Sequence, residues 1–305
     1  MKNLLLILLL TTGLSACSKP PEKSQIVCSP LGYDKAQLLE LRAAKFEISD
    51  AAKRDEFLRG VTACLGHPDP DLRDKVAYEA FAQLLRSETV PNKTVLALRA
   101  DLLSMLEKPD AMGQGFIKPF AALALSEVVR VDRKTPIFTP EQRAETVNTI
   151  SNYMRSITDY RGYDSSEGWR HGVAHSADVL LQLSLNPEIE QEDLAVIQEA
   201  VLSQIVPQNG HFYIYGEPGR LARPIVYLAA RDAFTPEEWT AWFEKIADPA
   251  PFENWGDMYS SQEGLAKLHN TKAFANAVYS TAINSKNTGV NALAEPALNV
   301  LRQLP

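Results

Sequence analysis

Two histidines and one aspartate stand at helical spacing in the middle of the chain. His171, His175 and Asp178 are four and three positions apart, so on a single α-helix they occupy one face. Two imidazoles one turn apart, with a carboxylate on the next turn, can converge on a divalent metal ion, because neutral imidazole is a common ligand for zinc, iron and nickel. The spacing therefore predicts His171, His175 and Asp178 as candidate ligands of a divalent metal cofactor.

Such a site needs a fourth ligand, and several carboxylates are available to supply it. The candidates are Asp159, Asp164, Glu167 and Glu217. An open coordination position would hold a water molecule if the site were catalytic. The His-x-x-x-His pair is a weak signal, because Gly172 stands where a zincin carries its glutamate base.

Two other interpretations of these polar residues stay open. The side chains can hydrogen-bond neighbouring helices and so fix packing, or they can form a metal-free acid-base or ligand site. The full set of candidate ligand-binding residues is Asp159, Arg161, Glu167, Trp169, His171, His175, Asp178, Glu217 and Arg220. Asp159 and Arg161 are also suited to a simple ion pair in a loop. The same holds for Glu167 and Arg170.

A second polar cluster follows the aromatic run His211–Tyr215. Glu217 and Arg220 fall on the first turn of a predicted helix, where they can pair with each other. Alternatively, Arg220 or Arg223 receives a carboxylate or a phosphate in a fork-shaped contact.

Three further aromatic residues have two interpretations. Trp239 and Trp242 stand at helical spacing, which is typical of core aromatic residues. We interpret Trp255 as a core residue as well. A platform on which a sugar stacks is the alternative.

These residues need a scaffold, and the hydrophobic pattern predicts one made of helices. From about Tyr33 onward apolar residues recur at every third or fourth position, and Asp69–Ala77 resembles the start of a HEAT-type repeat. Only Phe212–Tyr215 resembles a strand, and it is too isolated to form a sheet. About a dozen helices joined by short connections favour an all-α fold of stacked helix pairs in a HEAT-like α/α superhelix, with an α/α toroid as the alternative.

The helix that carries the histidines has a predicted start and end. Ser165 or Ser166 serves as its N-cap, and the helix runs to about Leu185. On such a helix Trp169 and Val173 face the core, opposite the polar stripe.

The composition excludes one class of partner. The 305 residues include 31 Lys and Arg against 38 Asp and Glu, which gives a formal net charge of −7. An acidic chain argues against nucleic acid as a partner, since phosphate binding depends on clustered basic residues. With 45% hydrophobic residues, the chain has enough apolar material for a large core.

The N-terminus predicts where the protein resides. Lys2 precedes the apolar run Leu4–Leu10, which is typical of a secretory signal and too short to span a bilayer. Leu14–Cys17 resembles the lipobox of bacterial lipoproteins, in which the cysteine is lipidated and becomes the mature N-terminus. An ordinary signal peptide is the alternative. Because Ser18 is not the aspartate that signals retention at the inner membrane, we expect an outer-membrane lipoprotein that faces the periplasm, with the inner membrane as the alternative location.

The chain therefore divides into three predicted parts. Residues 1–16 form the signal peptide, residues 17–32 the lipidated cysteine and a flexible tether, and residues 33–305 a single all-helical domain. Cys28 and Cys64 remain after lipidation, and the periplasm permits a disulfide between them. Two separate reduced thiols are the alternative, with Cys64 buried as a small apolar residue.

The chain resembles a bacterial family known as domain of unknown function 2785. The motifs that carry the resemblance are Leu72-Arg73-Asp74, Asp159-x-Arg161-Gly162-Tyr163, Gly168-Trp169-x-His171, Ala174-His175-x-Ala177-Asp178, Glu217-x-x-Arg220-Leu221-Ala222 and Asn270-x-Lys272-Ala273-Phe274. The resemblance extends over residues 35–283 and implies an all-helical domain without an established activity. The lipoprotein signal departs from the family pattern.

Two functions follow as hypotheses. The first is an envelope lipoprotein whose concave helical surface binds a protein, a peptide or a small molecule, with the Trp169–Asp178 block at its focus. The second is a periplasmic hydrolase, which works either through a metal or through carboxylates such as Asp159 and Glu167.

Overall fold

The structure, a computed structural model, describes residues 27–110 and 114–305. Over these residues the chain forms thirteen α-helices and one two-stranded antiparallel hairpin, which confirms the all-α class. The helices are α1 Lys35–Ala43, α2 Ala51–Gly60, α3 Glu79–Arg86, α4 Asn92–Glu107, α5 Ile117–Lys134, α6 Pro140–Ser156, α7 Gly172–Ser184, α8 Gln191–Leu202, α9 Glu217–Ala230, α10 Pro236–Ala247, α11 Gln262–Ala282, α12 Thr288–Ala292 and α13 Ala294–Gln303. The strands are β1 Tyr163–Asp164 and β2 Gly168–Trp169. The predicted signal peptide and Cys17 lie outside the described residues.

Several helices begin at capping signals that the sequence carries. At the start of α6 the Thr139 side chain accepts a hydrogen bond from the Gln142 amide, and the Gln142 side chain accepts one from the Thr139 amide. Pro140 occupies the first helical position, where its missing N–H costs nothing. The pairs at Asp34 and Thr235 form the same reciprocal arrangement, so these helix starts follow from local sequence.

The helices pack in two layers. Helices α5, α7, α9, α11 and α13 contact one another in that order and form an inner layer, while α4, α6 and α8 form an outer layer. Both an α/α superhelix and an α/α toroid have this order of packing. The choice between them therefore stays a prediction.

Helices α5 and α7 of the inner layer run parallel. At their starts, the His175 imidazole of α7 lies 3.1 Å from the Pro119 carbonyl oxygen of α5. At their ends, the Arg133 Nε of α5 donates a 2.9 Å hydrogen bond to Gln182 of α7. The segments that precede these helices therefore meet at one end of the molecule.

Helix α9 continues this arrangement. At its start, Glu217 Oε1 lies 3.4 Å from His171 Nε2, directly before α7, and just beyond its end Arg231 donates a 2.8 Å hydrogen bond to the Asn186 carbonyl oxygen. We name the shared end the loop end. It comprises residues 114–116, 157–171 and 203–216.

One continuous apolar core joins the layers and extends from Leu38 to Val300. Trp239, Trp242 and Trp255 are all buried, and Trp255 Nε1 donates a 2.9 Å hydrogen bond to a backbone carbonyl of α10. The three tryptophans are thus core residues and do not form a sugar-binding platform.

The end of the predicted tether is folded. Cys28 and Cys64 form a disulfide with a Cα–Cα distance of 4.8 Å, within the usual range. Pro30 is buried, and a Cβ atom added to Gly60 would lie 3.1 Å from the Pro30 side chain. Residues 28–32, which we predicted as the end of the tether, therefore contact the packed part of the chain.

The strand-like segment Phe212–Tyr215 is not a strand. Its backbone amides bind side chains instead: the Tyr213 amide donates to Asn270 Oδ1 at 3.0 Å and the Tyr215 amide to Glu217 Oε2 at 3.0 Å. Of the described strands, β2 lies in the segment for which we predicted a helix, and β1 lies directly before that segment.

Among the described residues, no helix combines the length and the apolar composition that crossing a membrane requires.

Candidate functional site

A hairpin precedes α7, so the predicted helix start is wrong. Asp164 Oδ1 accepts hydrogen bonds from the Ser166 amide at 2.8 Å, the Ser166 hydroxyl at 2.6 Å and the Glu167 amide at 3.0 Å. Ser166 is thereby used to close the hairpin turn and does not cap a helix. Gly168 and His171 have left-handed backbones, with φ of 76° and 56°, which stops helix propagation. The helix begins at Gly172.

Arg73 holds the hairpin in place. Its guanidinium is fully buried and donates hydrogen bonds to the Glu167 carbonyl oxygen at 2.6 Å and to Asp74 Oδ1 at 2.7 Å. The guanidinium carbon lies 4.0 Å from the Phe116 ring centroid and 4.8 Å from that of Phe120, within the range of cation–π contacts. The hairpin is thus fixed by a residue from the N-terminal part of the chain.

A second buried arginine lies beneath the hairpin. Arg170 Nη2 is 3.0 Å from Glu167, its Nε donates a 2.9 Å hydrogen bond to the Gln114 carbonyl oxygen, and its guanidinium covers the other part of the Phe116 surface at 4.1 Å. The ion pair considered between Glu167 and Arg170 is therefore present.

Asp159 and Arg161 form the other ion pair considered. Arg161 Nε lies 2.8 Å from Asp159 Oδ1, and the second nitrogen and oxygen lie 2.5 Å apart. Burial raises the pKa of Asp159, but the hydrogen bonds and charge of Arg161 outweigh it and hold the pKa below its ordinary value. Both side chains line a cavity of about 270 Å³ next to Lys118 and Tyr153.

His171 and Glu217 form a buried pair where α7 and α9 begin. Glu217 is 2% exposed, and Trp169 stacks on the His171 ring with 4.9 Å between ring centroids. Burial raises the pKa of Glu217, but the neighbouring His171 and hydrogen bonds from backbone amides, including that of Tyr215, bring it below the ordinary value. Glu217 therefore pairs with His171, and the predicted pairing with Arg220 does not form.

His175 lies one turn into α7 and is neutral. Burial, followed by the positive charge of neighbouring groups, lowers its pKa to about 3. Its Nδ1 is 3.1 Å from the Pro119 carbonyl oxygen. Because that oxygen can only accept, Nδ1 carries the proton. The Phe120 ring packs against the imidazole with its centroid 5.4 Å away.

Asp178 lies further along α7 and forms an ion pair with Arg220 of α9. Burial raises the pKa of Asp178, and Arg220 opposes this rise.

His171, His175 and Asp178 thus have three separate partners and do not converge. Within residues 27–110 and 114–305, no group of three or more His, Cys, Asp or Glu side chains is arranged to hold a metal ion. The three residues do not share one helix face as predicted, because His171 lies directly before α7 and not within it.

Two rings cover the His171–Glu217 pair. Trp169 stacks on His171, and the edge of Tyr215 contacts Trp169 with a centroid distance of 5.7 Å. The Tyr215 hydroxyl donates a 3.2 Å hydrogen bond to the Tyr163 carbonyl oxygen. Eight of the nine candidate residues lie at the loop end or within one turn of it, and the ninth, Asp178, lies further along α7.

Sequence reasoning missed Arg73 and Tyr215 as parts of this region. Arg73 carried a signal, since it stands three and four positions before the apolar residues Val76 and Ala77 and so shares their helix face. A charge on the apolar stripe of a helix indicates a buried partner. Tyr215 had no such signal, because its contact with Gly162 depends on the tertiary fold.

The comparison with known protein families identifies the chain. The model of the family described as "Protein of unknown function (DUF2785)" matches residues 104–279, which is more than half of the chain. The chain belongs to this family. The DUF2785 match extends from the end of α4 into α11 and includes the hairpin, His171 and Glu217. It is shorter than the predicted resemblance and leaves Arg73 outside. No curated protein and no solved structure matches the chain.

Proposed function

We propose that the protein is a lipid-anchored binding protein of the cell envelope and that the loop end is its recognition surface. One observation carries this proposal. Tyr163 is 51% exposed and Trp169 is 37% exposed, and their ring centroids are 5.1 Å apart on adjacent strands of the hairpin. Exposed aromatic pairs of this kind are typical of interaction sites, because aromatic side chains contribute strongly to binding.

The hairpin is rigid before any partner arrives. Arg73 binds the Glu167 carbonyl oxygen, and Tyr215 binds the Tyr163 carbonyl oxygen. Trp169 rests on His171 with 24° between the ring planes. Side chains that are already ordered lose little conformational entropy on binding. The arrangement thus favours recognition through Tyr163 and Trp169.

Binding is better supported than hydrolysis. The carboxylates considered for acid-base chemistry are neutralised by partners: Asp159 by Arg161, and Glu167 by Arg170. The His171–Glu217 pair could transfer a proton, but a substrate would have to displace Trp169 to reach it. A periplasmic hydrolase therefore stays the second candidate.

The proposed location combines the N-terminal motif with the disulfide. The lipid on Cys17 would hold the protein at the outer membrane facing the periplasm, with the inner membrane as the alternative. The disulfide between Cys28 and Cys64 supports export, since such bonds persist in oxidising compartments. The helical layers would form an open superhelix, and its partners would be a protein, a peptide or a small molecule and no nucleic acid.

Site-specific photo-crosslinking tests this proposal on the full-length lipidated protein. Tyr163 is replaced by photo-reactive benzoylphenylalanine in the native cells, and adducts are read by gel shift and by intact mass. The matched control places the same group at Tyr259, which is 61% exposed and lies outside the loop end.

We expect a discrete adduct at position 163, none at position 259, and loss of the first adduct in the Trp169→Ala variant. The variant is checked by its melting curve. The proposal is overturned if position 163 gives no adduct, or if position 259 gives the same one.

A further inference from the structure

A groove opens on the surface of the inner layer, further along α9 than the loop end. It is lined by Leu181 of α7, by Gly219, Ala222, Arg223, Val226 and Tyr227 of α9, and by Ala277, Ser280 and Thr281 of α11. Its volume is about 540 Å³, which is in the range of small-molecule binding sites. Most of its lining is apolar, and none of the lining residues is acidic.

One arginine in the groove has no partner. Within the part of the chain that the structure describes, Arg223 makes neither a hydrogen bond nor an ion pair, and it is exposed. The nearby carboxylate of Asp178 is already paired with Arg220, although it also feels the charge of Arg223. Arg223 therefore presents an uncompensated positive charge and a free guanidinium fork.

A further arginine strengthens the positive charge at the same surface. Arg133 of α5 donates a hydrogen bond to Gln182, the residue after Leu181, and it interacts electrostatically with Tyr227. Tyr227 itself is 41% exposed at the edge of the groove. Arg133 and Arg223 thus place two positive charges near Tyr227 in a chain whose net charge is −7. Such a region concentrates anions.

The hydroxyl groups that α11 contributes to the groove do not donate to an anion. The hydroxyls of Ser280 and Thr281 donate hydrogen bonds to the Ala277 carbonyl oxygen, so they present only acceptor lone pairs to a ligand. Of the residues that line the groove, Arg223 alone is charged, so a negatively charged group fits best beside it. An apolar group fits against Leu181 and Val226.

We propose that this groove binds a small organic monocarboxylate with an apolar body, held by a fork-shaped contact from Arg223 and by apolar contact with α7, α9 and α11. One free guanidinium matches one carboxylate in charge and in geometry. The site is independent of the proposed recognition surface, because neither Tyr163 nor Trp169 lines it.

Isothermal titration calorimetry on the full-length lipidated protein in nanodiscs tests this site, with empty nanodiscs as the blank. The probes are 4-phenylbutanoate, the neutral 4-phenylbutan-1-ol and the cationic 4-phenylbutylamine. We expect the carboxylate to bind with a Kd below about 1 mM, and the alcohol and the amine to bind at least about tenfold more weakly.

Three variants locate the binding. Arg223→Gln should weaken carboxylate binding about tenfold or more. The matched control Arg302→Gln, at an exposed arginine of α13, should leave binding unchanged. Gly219→Leu should abolish binding, since a Cβ atom at Gly219 meets nothing within 4 Å and the side chain would extend into the groove.

Several results would overturn the site. They are equal affinity for the carboxylate and the alcohol, unchanged binding in Arg223→Gln, and the absence of saturable carboxylate binding by the unmodified protein. If a variant fails to fold, the comparison of the three probes on the unmodified protein decides.

Discussion

The buried guanidinium of Arg73 donates a 2.6 Å hydrogen bond to the carbonyl oxygen of Glu167, 94 positions along the chain. The position of the hairpin therefore depends on a segment that precedes the residues shared with the family. Asp74 Oδ1 compensates the charge of Arg73 from 2.7 Å. The guanidinium is fully buried, whereas the Asp74 side chain is 27% exposed.

Replacement of this arginine should loosen the hairpin and destabilise the fold. Arg73→Met removes a buried hydrogen-bonded cation and leaves Asp74 unpaired, so we expect the free energy of unfolding to fall by about 3–5 kcal/mol. Urea unfolding measures the loss, and hydrogen exchange should show faster exchange at residues 163–169. The control Arg59→Met removes an exposed ion pair at 3.6 Å and should cost less than about 0.5 kcal/mol. Similar losses in both variants would contradict the assigned role of Arg73.

Two glycines should respond with opposite signs to the same substitution. A Cβ atom at Gly162 would lie 2.0 Å from the Tyr215 ring, whereas one at Gly219 meets nothing within 4 Å. Gly162→Ala should therefore displace Tyr215 and destabilise the protein by about 1–3 kcal/mol. Gly219→Ala, in the first turn of α9, should stabilise it by up to about 1 kcal/mol.

Thermal or urea unfolding measures both variants. Tryptophan fluorescence should change only in Gly162→Ala, because Tyr215 contacts Trp169. A neutral Gly162→Ala substitution would show that Tyr215 can move at no cost.

The helical class of this fold could be predicted from sequence because its signals are local. Thr139 and Gln142 form the capping box that their types and spacing predict, and the apolar periodicity marks the buried faces. The hairpin could not be predicted in this way. It depends on Asp164, whose side chain binds the amides of the turn, and on the left-handed backbone of His171.

The contacts of the candidate site also differ in whether the sequence could predict them. The ion pair between Asp159 and Arg161 joins residues two positions apart, and the sequence identifies it as an alternative. The pairing of His171 with Glu217 joins the starts of two parallel helices, and sequence spacing carries no information about that contact. Because a hairpin replaces the first turn of the predicted helix, His171 does not lie on the helix face that it was expected to share with Asp178.

The proposed lipid anchor gives a prediction that does not depend on the folded part of the chain. Cys17→Ser should abolish incorporation of an alkyne-labelled fatty acid in cells. It should also move the protein from the membrane fraction to the supernatant, because the apolar run of the signal peptide is too short to anchor the protein stably. Cys28→Ser is the matched control, since it removes a cysteine that forms the disulfide. Labelling should persist in this control. Equal labelling in both variants would rule out Cys17 as the acylated residue.

His175 should make the protein less stable in mild acid. Its pKa in the folded chain is lowered, chiefly by burial, to about 3, whereas a histidine of the unfolded chain has a pKa of about 6.5. As the pH falls through 6.5 toward 3, the unfolded chain takes up a proton at this residue and the folded chain does not. Stability therefore falls by at most about 1.4 kcal/mol per pH unit in that window.

The comparison of unfolding free energies at pH 7.5 and pH 5 measures this effect. Between these two values the unmodified protein should lose about 2 kcal/mol more than His175→Gln, whose amide can still donate to the Pro119 carbonyl oxygen. Burial also lowers the pKa of His67 and His211, and their contribution is present in both proteins and cancels in the difference. If the two proteins lose the same stability, His175 takes up a proton in the folded chain as readily as in the unfolded chain, which would contradict its lowered pKa.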